Sequence, residues 1–218
     1  WEPEKDIGWR MIRHFTKCEP WEKSLNERMA RSLRPEFIPY TGATDAVEAI
    51  INILRQVPHA DLLITVSDLS KAYRMLCITP DRRQHQTYVH PDDDIGWCED
   101  WRAPFGAAWS GFFQVYVSTA IIWMVQNVFV PQPACPFAIH VWVDDFFTVA
   151  DRADMAHVQA TLEATCQGVG YAVTGKEWQF DEGIEVLSDP SKRRVWIGVE
   201  FDLRTMVARC TAKMQSKC

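Results

Sequence analysis

The sequence predicts an α+β domain in which an antiparallel sheet is backed by helices. Three observations lead to this prediction. Short apolar runs with the composition of strands recur along the chain. Segments with helical periodicity separate them, in the order helix, strand, longer helical region, strand pair, helix and further strands. Two adjacent carboxylates, Asp144 and Asp145, lie between apolar runs in the stretch "VWVDDFFTVAD".

The first helix and the first long strand are predicted within residues 44–69. "TDAVEAIINILRQV" (44–57) has the apolar spacing of a helix, and either Thr44 or Asp45 is suited to cap it. "LLITVSDL" (62–69) is apolar and β-branched, which predicts a buried strand that ends in a charge. The apolar face predicted for the helix consists of Val47, Ile50, Ile51 and Leu54.

The most apolar segment, "VYVSTAIIWMVQNVFV" (115–130), predicts a buried helix. It has 16 residues and includes the polar Ser118, Thr119, Gln126 and Asn127. A membrane span needs about 20 predominantly apolar residues, so we expect no span here. Between residues 77 and 104 the sequence predicts loops and an irregular hairpin.

The second half of the chain predicts a strand pair, a helix and further strands. The pair covers residues 138–150, with Asp144 and Asp145 at its tight connection. The helix covers residues 153–170 and ends at glycines. Its predicted apolar face consists of Met155, Val158, Leu162, Cys166 and Val169. Short strands are predicted at residues 171–174, 193–202 and 205–210, the last two joined as a hairpin at residues 203–204.

The charge distribution argues for a cation site rather than a basic nucleic-acid surface. The net charge is −6, which is unlike a broadly basic nucleic-acid binder. Residues 35–180 contain 17 acidic against 8 basic side chains, whereas residues 1–34 contain 8 basic against 6 acidic ones. The seven cysteines are scattered without a C-x-x-C pair, which argues against a disulfide framework and a structural zinc site.

Carboxylates at strand ends have a plain explanation and a functional one. Acidic residues are common in turns. However, aromatic and apolar residues flank Asp144 and Asp145 on both sides, and a second strand ends at Asp68. Carboxylates that lie close together on an apolar surface repel one another and lose hydration, which costs free energy. A hard divalent cation such as Mg²⁺ offsets this free-energy cost. We therefore expect Asp68 and Asp144 to lie together and to hold a pair of ions, as in two-metal phosphoryl transfer.

Two of the segments that contain these carboxylates resemble motifs of the reverse-transcriptase palm. "SDLSKAYRMLCI" is similar to motif A of that family. The resemblance implies that Asp68 is a metal ligand and that Tyr73 screens the sugar 2′-OH of the incoming nucleotide. By the residues alone, Tyr73 is more simply explained as a core aromatic at the turn from strand to helix. "VWVDDFF" is similar to motif C, which implies that Asp144 is the second metal ligand and that Asp145 supports it.

Two more segments follow the order and spacing of the same family. "PFGAAWSG" resembles motif B, which implies that Phe105, Gly106 and Ser110 bind the nucleotide beneath the nascent base pair. "VWIGVEFD" resembles motif E, the primer grip, which implies that role for Ile197 and Gly198.

Near the N-terminus, "PEKDIGWRMIRHFT" and "KSLNERM" resemble the fingers segment of the family. That likeness implies that Lys5 and Arg10 hold the incoming triphosphate. Both residues are close to acidic neighbours, so an ordinary exposed hairpin is the alternative. The combined motifs are most similar to those of retrotransposon enzymes, in particular the DIRS-like group.

The chain departs from the family pattern at three positions. Motif C has Trp142 in place of the usual Tyr, which alters the expected primer contact. Lys176 lies one place early in motif D, so it is either a candidate general acid for the leaving pyrophosphate or a solvated loop charge. Gly111 replaces a frequent Pro in motif B, which changes backbone stiffness.

The resemblance implies a polymerase palm with a ferredoxin-like core and partial fingers. The fingers would comprise residues 1–60 with portions of about 78–105, and the palm residues 61–218 with motifs A to E. Trp1 has no Met before it, which suggests a segment of a longer polyprotein. We expect the thumb and any RNase H domain to lie outside this segment.

The implied function is RNA-directed DNA polymerisation, a nucleotidyl transfer of dNTPs to a primer 3′-OH. Two Mg²⁺ ions, with Mn²⁺ as an alternative, would be the cofactors. The partners would be an RNA or DNA template with its primer, and dNTPs, without a membrane. The location would be intracellular, in the cytoplasm or the nucleus.

Three other functions remain open. An RNA-dependent RNA polymerase uses the same palm, and the bulky Tyr73 argues against it because RNA polymerases usually have a smaller or hydrogen-bonding group there. A decayed or domesticated copy would bind nucleic acid or a protein without catalysis, and the intact acidic residues argue against it. An unrelated α+β metal enzyme would leave the "PFG" segment unexplained.

Overall fold

The chain divides into two compact units. Unit 1 comprises Trp1–Ile38 and Lys71–Gln114, and unit 2 comprises Pro39–Ser70 and Val115–Cys218. The assignment of residues 1–60 to fingers and 61–218 to a palm stays a prediction. The computed structural model describes residues 2–4, 8–10, 24, 26–27, 40–80, 87–89, 96–99, 101–129 and 135–216.

The predicted helices and strands follow one another in the predicted order, with further short strands among them. A π-helical turn, Val125–Phe129, continues directly from the longest apolar helix. In chain order the elements are β1 (Glu2–Glu4), β2 (Gly8–Arg10), α1 (Ala43–Gln56), β3 (Leu62–Leu69), α2 (Ala72–Met75), β4 (Thr87–Val89), β5 (Trp97–Glu99), α3 (Ala108–Met124), β6 (Ala138–Trp142), β7 (Asp145–Asp151), α4 (Arg152–Gly168), β8 (Val173–Gly175), β9 (Glu177–Phe180), β10 (Gly183–Val186), β11 (Arg193–Trp196), β12 (Val199–Asp202), β13 (Val207–Cys210) and α5 (Ala212–Gln215).

An antiparallel sheet forms the centre of unit 2. Its strands lie in the order β6, β7, β3, β8. Strand β3 pairs with β7 along its length, and nearly all of its side chains are buried. Phe147 lies in the core of this unit, with its ring 5.2 Å from that of Trp196 and 4.9 Å from that of Phe201. The end of the sheet at Asp68 is therefore fixed by a packed core.

Helix α1 starts one residue earlier than predicted, and its cap was predicted wrongly. Gly42 is the N-cap, and the Asp45 carboxylate accepts a hydrogen bond from the Gly42 N–H at 2.6 Å. The buried face is also rotated, because Ile51 is 39% exposed while Ile53 is 4% exposed. The apolar face of α1 is wider than the part of it that packs against the core. Periodicity alone therefore could not define which side of that face is buried.

Two other boundaries differ from the prediction. Helix α4 ends at Gly168, and Val169, which was predicted to lie on its apolar face, is 45% exposed. Gly170 then takes a left-handed φ of +92°, which turns the chain away from the helix. The segment 193–202 is not one strand but the hairpin β11–β12, which the sequence pattern did not reveal because its turn contains the apolar Ile197.

Of the apolar segment predicted to be helical, residues 115–129 are described; they are helical, as predicted, but not wholly buried. Val115 and Ile121 are buried on one side, whereas Trp123 is 59% exposed. None of the helices in the described part of the chain is long and apolar enough to cross a membrane. The hairpin β4–β5 lies where an irregular hairpin was predicted, and the hairpin β9–β10 was not predicted.

Two neighbouring isoleucines of α1 test the position of its buried face. Ile53→Ala is expected to lower the free energy of unfolding by about 2–5 kcal/mol, because it removes a buried side chain and leaves a cavity. The matched Ile51→Ala is expected to change it by about 0.5 kcal/mol or less. Urea unfolding followed by circular dichroism measures both. Equal losses from the two variants would contradict the assigned face.

Candidate active site

The register of the central sheet brings the predicted acidic residues together. Strands β3 and β7 run antiparallel, and Asp68 near the end of β3 lies directly opposite Asp145, the first residue of β7. Asp144 directly precedes Asp145, and the Asp144 carbonyl accepts a hydrogen bond from the Leu69 N–H at 3.2 Å. All three acidic residues thus lie at one end of the sheet.

The tight turn between β6 and β7 differs from the predicted one. Trp142 pairs with Asp145, so the turn consists of Val143 and Asp144, and Asp145 already belongs to the strand. The Asp144 N–H donates to the Trp142 carbonyl at 2.8 Å, the pattern of a γ-turn, and Val143 has a φ of +61°. A β-branched residue in this region is strained by roughly 1–3 kcal/mol.

Side chains from distant parts of unit 2 hold the backbone of this hairpin. The Ser118 hydroxyl donates to the Val143 carbonyl at 2.7 Å, and the Trp196 indole N–H donates to the Asp145 carbonyl at 3.1 Å. The Thr41 hydroxyl donates to the Val141 carbonyl at 2.9 Å and accepts from the Val141 N–H at 3.0 Å. The sequence carries no local signal for these contacts.

Lys176 bridges the two opposed carboxylates. Its ammonium donates to Asp145 Oδ1 and lies 3.6 Å from Asp68 Oδ2. It follows β8, in which Thr174 pairs with Asp68, so two residues later its side chain is on the same face and diagonal to Asp68. Lys176 is therefore not a freely solvated loop charge.

The pKa values of two carboxyls of the cluster and of the lysine beside them are all raised. Burial, reinforced by the charges of Asp68 and Asp145, raises the pKa of Asp144 to about 7. Burial also raises the pKa of Asp68, with Lys176 opposing the rise and Asp145 adding to it. Burial would lower the pKa of Lys176, but its hydrogen bond with Asp145 and the nearby carboxylate charges outweigh this and raise it.

The donor atoms of the cluster fit a hard divalent cation. Asp68 Oδ1 is buried and accepts no hydrogen bond from the described residues, so it has unused capacity for a ligand. No three His, Cys, Asp or Glu side chains of the described residues are arranged to hold a metal ion by themselves. This is compatible with Mg²⁺, which proteins commonly bind through one or two carboxylates together with water and substrate phosphates.

The motif-B residues form a separate group within unit 1. The Tyr73 ring contacts the Phe105 ring edge-on, with centroids 4.9 Å apart. Gly106 has a φ of +90°, which favours glycine, and its carbonyl accepts from Asn26 Nδ2 at 2.9 Å. The buried Ser110 hydroxyl donates to the Pro104 carbonyl at 2.8 Å, so it holds the loop; a nucleotide contact for these residues stays a prediction.

The remaining predicted residues are only partly accounted for. Ile197 and Gly198 form the two-residue turn between β11 and β12, and both have positive φ, 43° and 82°. A primer contact for them stays a prediction. Lys5 lies outside the described residues, and Arg10 ends β2, of which the backbone is described. Their triphosphate contact likewise stays a prediction.

Solved polymerase structures share this fold. The foamy viral protease-reverse transcriptase in complex with double-stranded DNA matches 99% of this chain with a TM-score of 0.57 and 15% identity. The same viral protein with an RNA/DNA hybrid matches 71% with a TM-score of 0.51 and 15% identity. Telomerase from Candida albicans, in complex with a fragment of telomeric RNA, matches 85% with a TM-score of 0.53 and 12% identity.

These matches show the fold of the chain. It has a reverse-transcriptase-like α+β fold with a palm-like antiparallel sheet, which confirms the predicted fold class. The chain spans 31% and 18% of the two foamy viral chains and 36% of the telomerase chain. No protein-family model matches the sequence, and no curated protein matches it.

The raised pKa of Asp144 predicts a stability change with pH in metal-free buffer. The folded state holds the Asp144 proton more tightly than the unfolded state, so its stabilising contribution is present below the unfolded pKa of about 3.9 and is lost as pH rises through about 7. The Asn side chain in Asp144→Asn is neutral at every pH. At pH 8 we expect the free energy of unfolding of this variant to be higher than that of the wild type by about 1–3 kcal/mol.

Thermal unfolding in EDTA between pH 4 and pH 8 measures this difference. The advantage of Asp144→Asn is expected to shrink toward zero at the acidic end. Asp181→Asn is the control, because the Asp181 side chain is 94% exposed. An advantage that does not change with pH would contradict the assignment to Asp144.

Proposed function

We propose that this chain is the catalytic domain of an RNA-directed DNA polymerase of a retroelement, a nucleotidyltransferase. The observation that carries the proposal is the pairing of Asp68 with Asp145, next to Asp144, at the end of a palm-like sheet. Clustered carboxylates with a raised pKa and an unsatisfied oxygen are costly for folding. A catalytic role of this sheet end explains why they are there.

The reaction would join a primer to a nucleotide. The primer 3′-oxygen forms a bond to the α-phosphorus of a dNTP, and the bond from that phosphorus to the bridging oxygen breaks, which releases pyrophosphate. Bound Mg²⁺ or Mn²⁺ would supply Lewis-acid stabilisation of the phosphate charge. The carboxylates of Asp68 and Asp144 would hold the ions, and Asp145, opposite Asp68, would support them.

Other residues of the proposal lie outside the acidic cluster. Tyr73 would contact the sugar, and Phe105, Gly106 and Ser110 would lie near the base pair. Lys5 and Arg10 would hold the triphosphate of the incoming dNTP. The template is RNA or DNA with a primer, and the domain would be joined to others in a polyprotein.

Primer extension on poly(rA)/oligo(dT) with Mg²⁺ tests the activity. Asp68→Asn and Asp144→Asn are each expected to lower the extension rate at least about 10²-fold, because each removes a charge that holds the cation at the reacting phosphate. Asp181→Asn, at an exposed position, is the matched control. Extension that persists in both active-site variants would exclude this chemistry, and a decayed copy would show none in the wild type.

Nucleotide selection tests the contribution of Tyr73. Tyr73→Ala is expected to lower the preference for dNTP over rNTP by about 10-fold or more, because a bulky ring beside the sugar excludes the 2′-OH. Tyr73→Phe retains the ring and is expected to retain the preference. The ratio of kcat/KM for the two nucleotides is the measurement. A wild type that prefers rNTPs would instead favour the RNA polymerase alternative.

A further inference from the structure

The Lys176 ammonium lies between two acidic side chains, where a bound cation would otherwise balance their charge. Asp68 and Asp145 face each other across paired strands, where like charges repel. The Lys176 ammonium contacts one oxygen of each. The repulsion is thus offset by a side chain of the same chain, from the residue that follows β8 on the other side of β3.

The backbone that carries Lys176 is closely fixed, whereas its side chain has room to move. The Lys176 carbonyl accepts a hydrogen bond from the Leu187 N–H. A Cβ at the preceding Gly175 would lie 2.5 Å from Ser188 Oγ, so this strand end is held tightly against its neighbour. The Lys176 side chain is 41% exposed, and a flexible four-carbon stem allows its ammonium to turn into solvent.

The ammonium does not use the full capacity of the carboxylates. Asp68 Oδ1 remains buried and accepts no hydrogen bond from the described residues, although Oδ2 of the same carboxylate is close to Lys176. A divalent cation carries twice the charge of the ammonium and can be coordinated by oxygens of more than one carboxylate. A cation and the ammonium would therefore compete for the same oxygens.

We propose that Lys176 is an exchangeable internal counter-ion: its ammonium pairs with Asp68 and Asp145 when no divalent cation is bound, and it leaves when one binds. This inference rests on the proposed function, because it requires that the acidic cluster binds divalent cations. Its consequence is that Lys176 stabilises the metal-free fold and weakens cation binding. The exchange also releases an ammonium near the cluster each time a cation enters.

Isothermal titration of the protein with Mg²⁺ and with Mn²⁺ tests the competition. Lys176→Met removes the charge and keeps the length of the side chain. We expect its Kd for the cation to be lower than that of the wild type by roughly tenfold or more, because no ammonium must be displaced. Lys176→Arg is expected to bind no more tightly than the wild type. Lys192→Met is the matched control, because Lys192 pairs with Asp61 beyond the opposite end of β3.

Thermal unfolding in EDTA gives a second measurement. Lys176→Met is expected to melt at a lower temperature than the wild type without metal, and to gain more than the wild type from added Mg²⁺. Equal affinity in Lys176→Met and the wild type would overturn the inference and leave the proposed function standing. Absence of divalent binding in both proteins would overturn the proposed function, and the inference with it.

Chemical labelling of the wild type avoids any variant that fails to fold. Reductive methylation with mass spectrometry measures how accessible each lysine ammonium is. We expect the labelling rate of Lys176 to rise several-fold when Mg²⁺ is added, while Lys192 stays unchanged. A Lys176 rate that stays constant at saturating Mg²⁺ would overturn the exchange.

Discussion

Two carboxylates of like charge, Asp68 and Asp145, are paired directly across neighbouring strands, and the strands have no freedom to separate them. A slip of one residue would turn the side chains of β3 to the other face and remove Ile64 and Val66 from the core. The repulsion must therefore be offset where it arises. Lys176 does this in the structure, because it directly follows β8, whose register with β3 places it diagonally across from Asp68.

The hairpin that carries Asp144 is strained, and its strain is held by contacts from distant parts of the chain. Val143 adopts a left-handed φ that its branched side chain disfavours. Hydrogen bonds from Ser118 and Trp196 fix the carbonyls on either side of Asp144. Because Trp196 also packs against Phe147 in the core, the carboxylate end of the sheet and the hydrophobic core share one side chain. Such support keeps the acidic groups in place without relying on a ligand.

The sequence predicted the helices and strands of unit 2 well where residue composition and hydrophobic periodicity indicated the same type of element. Strand β3 matched its predicted bounds, because a run of branched apolar residues has few alternatives to a buried strand. Prediction failed where a local choice depended on distant packing. Ile51 and Val169 were assigned to buried faces and are exposed. The turn at Ile197 and Gly198 was missed because an apolar β-branched residue rarely takes a positive φ.

The sequence by itself predicted an α+β fold with an antiparallel sheet and pointed to the three acidic residues, because strand patterning and charges at strand ends are local properties. The palm followed from the resemblance of its motifs to a known family. It also singled out Lys176, but it left two interpretations of that residue open. The tertiary structure pairs Lys176 with the carboxylates, which argues against the solvated loop charge, while the general acid stays a prediction; it also places Asp145 rather than Asp144 opposite Asp68. The physical reason is that charge pairing depends on register between strands far apart in the chain, and no local pattern encodes that register.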